Sequence, residues 1–99
     1  MSRDNRDWGL RPDARRRLGG NVMVHRLRAG MSRRELGLRA AVSTPRLAQI
    51  EEGRTGATLD IWVRITGTLE VSLDELLAGV RWIPCQAEPN HDEGTYVVY

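Results

Sequence analysis

Ser32-Arg33-Arg34-Glu35-Leu36-Gly37-Leu38-Arg39-Ala40-Ala41-Val42-Ser43-Thr44-Pro45-Arg46-Leu47-Ala48-Gln49-Ile50-Glu51-Glu52-Gly53 contains two helix starts separated by a very short connection. Ser32 with Glu35 three residues later has capping-box spacing, in which each side chain satisfies a backbone N–H at the helix start. Leu36 and Ala40, with Leu38 beside them, supply the buried side of that helix, and Gly37 weakens it. After the Ala41-Val42 turn, Ser43 caps the next helix. Pro45 is tolerated there because the first turn needs no intrahelical N–H bond. Leu47 and Ile50, three apart, face inward; Thr44, Arg46, Ala48 and Gln49 remain on the other face, and Gly53 ends the helix. Two capped helices joined this tightly are predicted to form a helix-turn-helix, whose second helix projects rigidly from the first.

The flanking sequence completes an all-α domain. On the N-terminal side, residues 1–17 read as a flexible arm, with Asp13 capping at most a short turn through Leu18. Gly19-Gly20 is expected to interrupt any longer helix. Asn21 then caps a helix carrying Val22, Met23, Val24 and Leu27 and stopping at Gly30. On the C-terminal side, Thr58 caps a helix with Leu59, Trp62, Val63, Ile65 and Leu69 at helical spacing. Its far end, Thr66-Gly67-Thr68, is intrinsically poor and must be held by packing. Ser72 and Glu75 repeat the capping box, opening a last helix through Leu77 that Gly79 closes. Residues 18–80 thus form a five-helix domain. Residues 81–99 form a tail whose end, Thr95-Tyr96-Val97-Val98-Tyr99, is β-prone.

The chain has 99 residues, enough for one compact domain. It has no apolar run near the about 18 residues that suggest a membrane span, and its polar N-terminus lacks the apolar region of an export signal. A cytoplasmic protein is expected. One cysteine, Cys85, leaves no intramolecular disulfide. Charge is unevenly distributed: residues 1–56 carry 13 arginines against six acidic residues, and residues 57–99 carry two against seven. A basic half around a helix-turn-helix points to a polyanion, double-stranded DNA. The basic residues are all arginine, a bias that suits bidentate phosphate and guanine contacts and that a GC-rich coding sequence also produces.

The blocks Gly30 to Gly37, Val42-Ser43, Ile50-Glu51-Glu52-Gly53-Arg54 and Leu69 to Leu77, spread over residues 18–79, resemble the Cro/C1-type (Xre family) repressors. The resemblance implies a five-helix lambda-repressor-like domain, here with an N-terminal arm and a β-like tail. It implies that Arg26 and Glu51 form an internal ion pair, a structural role that removes Glu51 as a candidate catalytic acid. It places Thr44, Arg46 and Gln49 where family members read bases: arginine suits guanine O6/N7, glutamine adenine N6/N7, and the threonine methyl that of thymine. Pro45 offers at most an apolar contact there. Arg33 stands where a phosphate-binding glutamine is usual; Arg54 and Thr55 match loop positions near the DNA backbone, and Ser43 is placed to donate to phosphate as well as cap. Gly37, Thr66 and Thr68 replace alanines common in the family, and Ala57 replaces a proline.

Arg15-Arg16-Arg17 fits either a DNA contact or a solvated charge run. His25, His91 and Cys85 have no recognised ligand spacing, so neither a metal nor a cofactor is expected. Trp62 belongs to the core. Trp82, Tyr96, Val97, Val98 and Tyr99 are apolar material beyond the domain, suited to a lid or to contacts in a homodimer. No phosphate loop or nucleophile–base pattern supports an enzyme. The expected function is that of a homodimeric transcription regulator, usually a repressor in this family, reading an inverted-repeat operator and nucleoid-associated when bound. Alternatives are an antitoxin or interaction module gripping a protein partner, with DNA binding for autoregulation, and a restriction-modification controller.

Overall fold

The computed structural model describes residues 10–84 and 95–99. Cys85, His91 and residues 1–9 of the expected arm lie outside them. Among the described residues five helices, α1 (Pro12–Arg28), α2 (Arg33–Ala40), α3 (Thr44–Glu51), α4 (Leu59–Leu69) and α5 (Leu73–Leu76), precede two strands, β1 (Val80–Ile83) and β2 (Thr95–Val98). None of these helices is long and apolar enough to cross a membrane.

Helix α1 departs most from expectation. It runs unbroken through Gly19-Gly20 from Pro12, so residues 12–17, expected in the arm, are its first turns. Asp13 lies inside the first turn rather than capping it, where its charge still opposes the helix dipole favourably. The reason is packing. Gly19 is buried where α1 crosses α3, and a Cβ on it would collide with the carbonyl oxygens of Ile50 and Glu51. The close crossing outweighs the roughly 1 kcal/mol that a glycine costs a helix. The buried residues Ala14, Leu18, Val22 and Arg26 recur every fourth position. Met23, Val24 and Leu27, the apolar residues expected in this helix with Val22, are exposed, Leu27 to 60%. Asn21 is mid-helix rather than a cap; its amide donates to the carbonyls of Leu76 and Ala78 at 2.8 and 2.9 Å, tying α1 to the end of α5.

From α2 onward the capping expectations hold. Ser32 and Glu35 form a complete capping box, Ser43 accepts from the Arg46 N–H, and Thr58 accepts from the Ile61 N–H. Leu36 and Ala40 are buried, whereas Leu38 is exposed. Gly37 lets the following turn fold back on α2: a Cβ there would stand 2.5 Å from the Val42 carbonyl oxygen. On α4, Ile65 and Leu69 are buried and Trp62 packs against the core, but Leu59 and Val63, expected on the same stripe, are exposed. The Thr66 and Thr68 hydroxyls donate to the carbonyls of Val63 and Arg64, so both are satisfied within the helix. The core joins Leu18 and Val22 of α1, Leu36 of α2, Leu47 of α3, Ile65 and Leu69 of α4, and Leu76 of α5.

Ser72 and Glu75 form the second capping box. The Ser72 backbone N–H and then its side chain hold the Glu75 carboxyl below its ordinary value. A lowered folded value means that this contribution to stability is present above the unfolded carboxylate range and is lost as pH falls through the folded value. Ser72→Ala is expected to raise the Glu75 midpoint in an NMR titration; an unchanged midpoint would remove the hydroxyl from the account.

After Gly79, β1 and β2 form an antiparallel hairpin that packs against α1. β2 falls in the β-prone stretch; β1 was not anticipated. Trp82 lies opposite Tyr96, their rings edge to face at 5.1 Å. The Arg17 guanidinium donates to the Tyr99 carbonyl, and the Arg15 guanidinium to the carbonyls of Gly53 and Leu10. In the arginine run, therefore, Arg15 and Arg17 have internal partners, and Arg16 is exposed.

Candidate nucleic-acid interface

Ser43 starts α3 by accepting from the Arg46 N–H at 3.2 Å, and Pro45 follows in the first turn. From this start one side of the helix carries Leu47, Ile50 and Glu51, all buried, and the other carries Thr44, Pro45, Arg46 and Gln49, all exposed. The three side chains expected to read bases therefore share one outward surface on a helix whose inner side is anchored.

The anchor is ionic as well as apolar. Glu51 has a fully buried side chain. Arg26 of α1 donates to it twice, Nε to Oε2 at 2.7 Å and Nη2 to Oε1 at 3.1 Å, and Arg26 Nη1 also donates to the Met31 carbonyl at 2.9 Å. The pair expected from the resemblance is thus present, and it also holds the turn between α1 and α2. A third group joins it: Arg33 Nε, at the start of α2, donates to Glu51 Oε1 at 2.9 Å. One buried carboxylate links the first three helices, which fixes the angle at which α3 projects.

The remaining site residues lie around the ends of α2 and α3. Arg54 donates through Nε and Nη2 to Glu52 Oε1, at 3.0 and 2.6 Å. Arg33 Nη2 stands 4.0 Å from Glu52 Oε2, so Glu52 lies between the two arginines. These exposed contacts contribute little stability. Ser43 is exposed; Thr55 is half-buried, its hydroxyl donating to the Gly56 carbonyl. On the hairpin Trp82 and Tyr99 are exposed, whereas Tyr96, Val97 and Val98 are half-buried. Sequence reasoning missed the Arg33–Glu51 contact, which joins positions far apart in the chain, and no local spacing announces it.

The helix-turn-helix family model matches residues 24–76, just over half of the chain. Among solved structures, the clp gene regulator ClgR from Corynebacterium glutamicum is similar at 26% identity and TM-score 0.63, over 65% of this chain and 82% of that one. The hypothetical transcription factor NHTF from Neisseria is similar at 25% identity and TM-score 0.62, over 66% and 75%. The restriction-modification controller protein C.AhdI from Aeromonas hydrophila shares the fold at 18% identity and TM-score 0.60, over 62% and 92%. No curated protein matches the sequence. With five helices around a projecting α3 and a family match running from the end of α1 to the end of α5, the chain belongs to the Cro/C1-type (Xre) helix-turn-helix family of DNA-binding transcription regulators, a non-enzymatic class.

Proposed function

We propose that the protein is a repressor that binds an inverted-repeat operator as a homodimer, in the cytoplasm, and blocks polymerase there. The observation that carries this reading is the two-sided α3: Thr44, Arg46 and Gln49 exposed together, Leu47, Ile50 and Glu51 buried beneath. In the major groove, Arg46 reads guanine, Gln49 adenine and Thr44 a thymine methyl. Arg33, Ser43, Arg54 and Thr55 meet the DNA backbone, which sets register and affinity rather than sequence. Arg33 and Arg54 do so from geometries already constrained by Glu51 and Glu52. The tail 81–99 supplies the twofold contact through Trp82 and Tyr96 to Tyr99, and each subunit reads one half-site, the two about 34 Å apart.

Substitution tests the division of roles. Arg46→Ala and Gln49→Ala should each cost about 1–3 kcal/mol at one base pair and relax specificity there. Arg33→Ala should weaken specific and random duplex alike and lower the salt dependence by about one phosphate contact. Competition binding separates the two patterns. Equal losses on specific and random DNA for all three variants would remove the assignment.

A further inference from the structure

Beside the outward face of α3 lies a cleft of about 490 Å³, within the roughly 300–1,000 Å³ typical of small-molecule sites. Among the described residues its walls come from four separate parts of the chain: Leu10 before α1, Arg46 of α3, Ala57 and Thr58 leading into α4 with Trp62 within it, and Tyr96 of β2. Trp62 and Tyr96 are half-buried, and both line the cleft. Arg46 is exposed, and among the described residues no carboxylate pairs with it, whereas Arg33 and Arg54 each lie on a glutamate. A role in base reading accounts for Arg46. It does not account for a recess whose wall combines an indole and a phenol from different elements with that arginine.

We propose that this cleft binds a small aromatic carboxylate, its ring against Trp62 and Tyr96 and its carboxylate on the Arg46 guanidinium. The planar fork of arginine matches a carboxylate through two parallel hydrogen bonds, and aromatic side chains favour a ring as partner in offset or edge geometry. Among the described residues Arg46 is the sole cation in the wall, which suits a monoanion. A ligand held this way occupies the guanidinium that faces DNA, so its binding lowers operator affinity. This second step rests on the assignment of Arg46 to base reading; the binding itself does not.

The test is a titration of the full chain with indole-3-acetate and phenylacetate, and with neutral indole-3-acetamide, followed by the Trp62 indole N–H signal and by calorimetry. The acids should shift that signal saturably, with the amide weaker by about tenfold or more, the scale of a hydrogen bond to a charged group. Arg46→Gln should bring indole-3-acetate down to the level of its amide. The acids should also displace a selected duplex from the wild-type protein. No saturable shift at Trp62, or equal affinity for acid and amide, overturns the proposal; binding at Trp62 with unchanged duplex affinity overturns the coupling. If no duplex is bound at all, the base-reading assignment fails, and the Trp62 titration still decides the cleft.

Discussion

Glu51→Ala lowers the unfolding free energy by about 3–5 kcal/mol, a large share of the roughly 5–15 kcal/mol that holds a small domain folded. The side chain is fully buried and Arg26 beside it is 10% exposed, so removing the carboxylate leaves a guanidinium away from water with only the Met31 carbonyl as partner. Arg26→Met is expected to cost less, because Glu51 keeps the hydrogen bond from Arg33. Urea unfolding of the two variants gives the comparison. A smaller loss for Glu51→Ala than for Arg26→Met would contradict the placement of this carboxylate at the centre of the network.

Gly19→Ala and Gly20→Ala shift stability in opposite directions. Helix propensity alone favours alanine at both by about 1 kcal/mol. At Gly20 a Cβ meets nothing within 4 Å, and a gain of about 0.5–1 kcal/mol is expected. At Gly19 the Cβ meets the backbone carbonyls of Ile50 and Glu51, which no rotamer change can move. The crossing of α1 and α3 must open, at about 3 kcal/mol, the upper end of the usual overpacking cost. Thermal unfolding of both variants checks the signs; a gain at both positions would mean that the helices do not cross as closely as described. Because α3 hangs from this crossing, Gly19→Ala is also expected to weaken DNA binding.

What was legible in the sequence follows the range of the interaction. Caps at Ser32, Ser43, Thr58 and Ser72 are hydrogen bonds to a backbone group three residues on, so residue type and spacing suffice to find them. Arg26 and Glu51 came from the family resemblance, since nothing local pairs residues on separate helices. The misreading of α1 had one cause: glycine was weighed by propensity alone, and Gly19 is there because another helix passes over it. A helix starting at Asn21 leaves out Ala14 and Leu18, two of the residues α1 buries, and Met23, Val24 and Leu27 stay exposed. β1 was missed because Val80–Ile83 is short and its partner, Thr95–Val98, lies beyond a long connection. Thr44, Arg46 and Gln49 were identified by position in the family pattern, and the structure adds that all three face outward.

The most direct test of the central claim, that α3 reads a specific operator, is selection from random duplex DNA, with the selected site compared against random duplex across a salt series. The expected result is an inverted repeat with half-sites about one helical turn apart, bound about 10³-fold or more tighter than random sequence. Its affinity should fall steeply with salt. Enrichment of no sequence, with only weak salt-sensitive binding common to all duplexes, would contradict it.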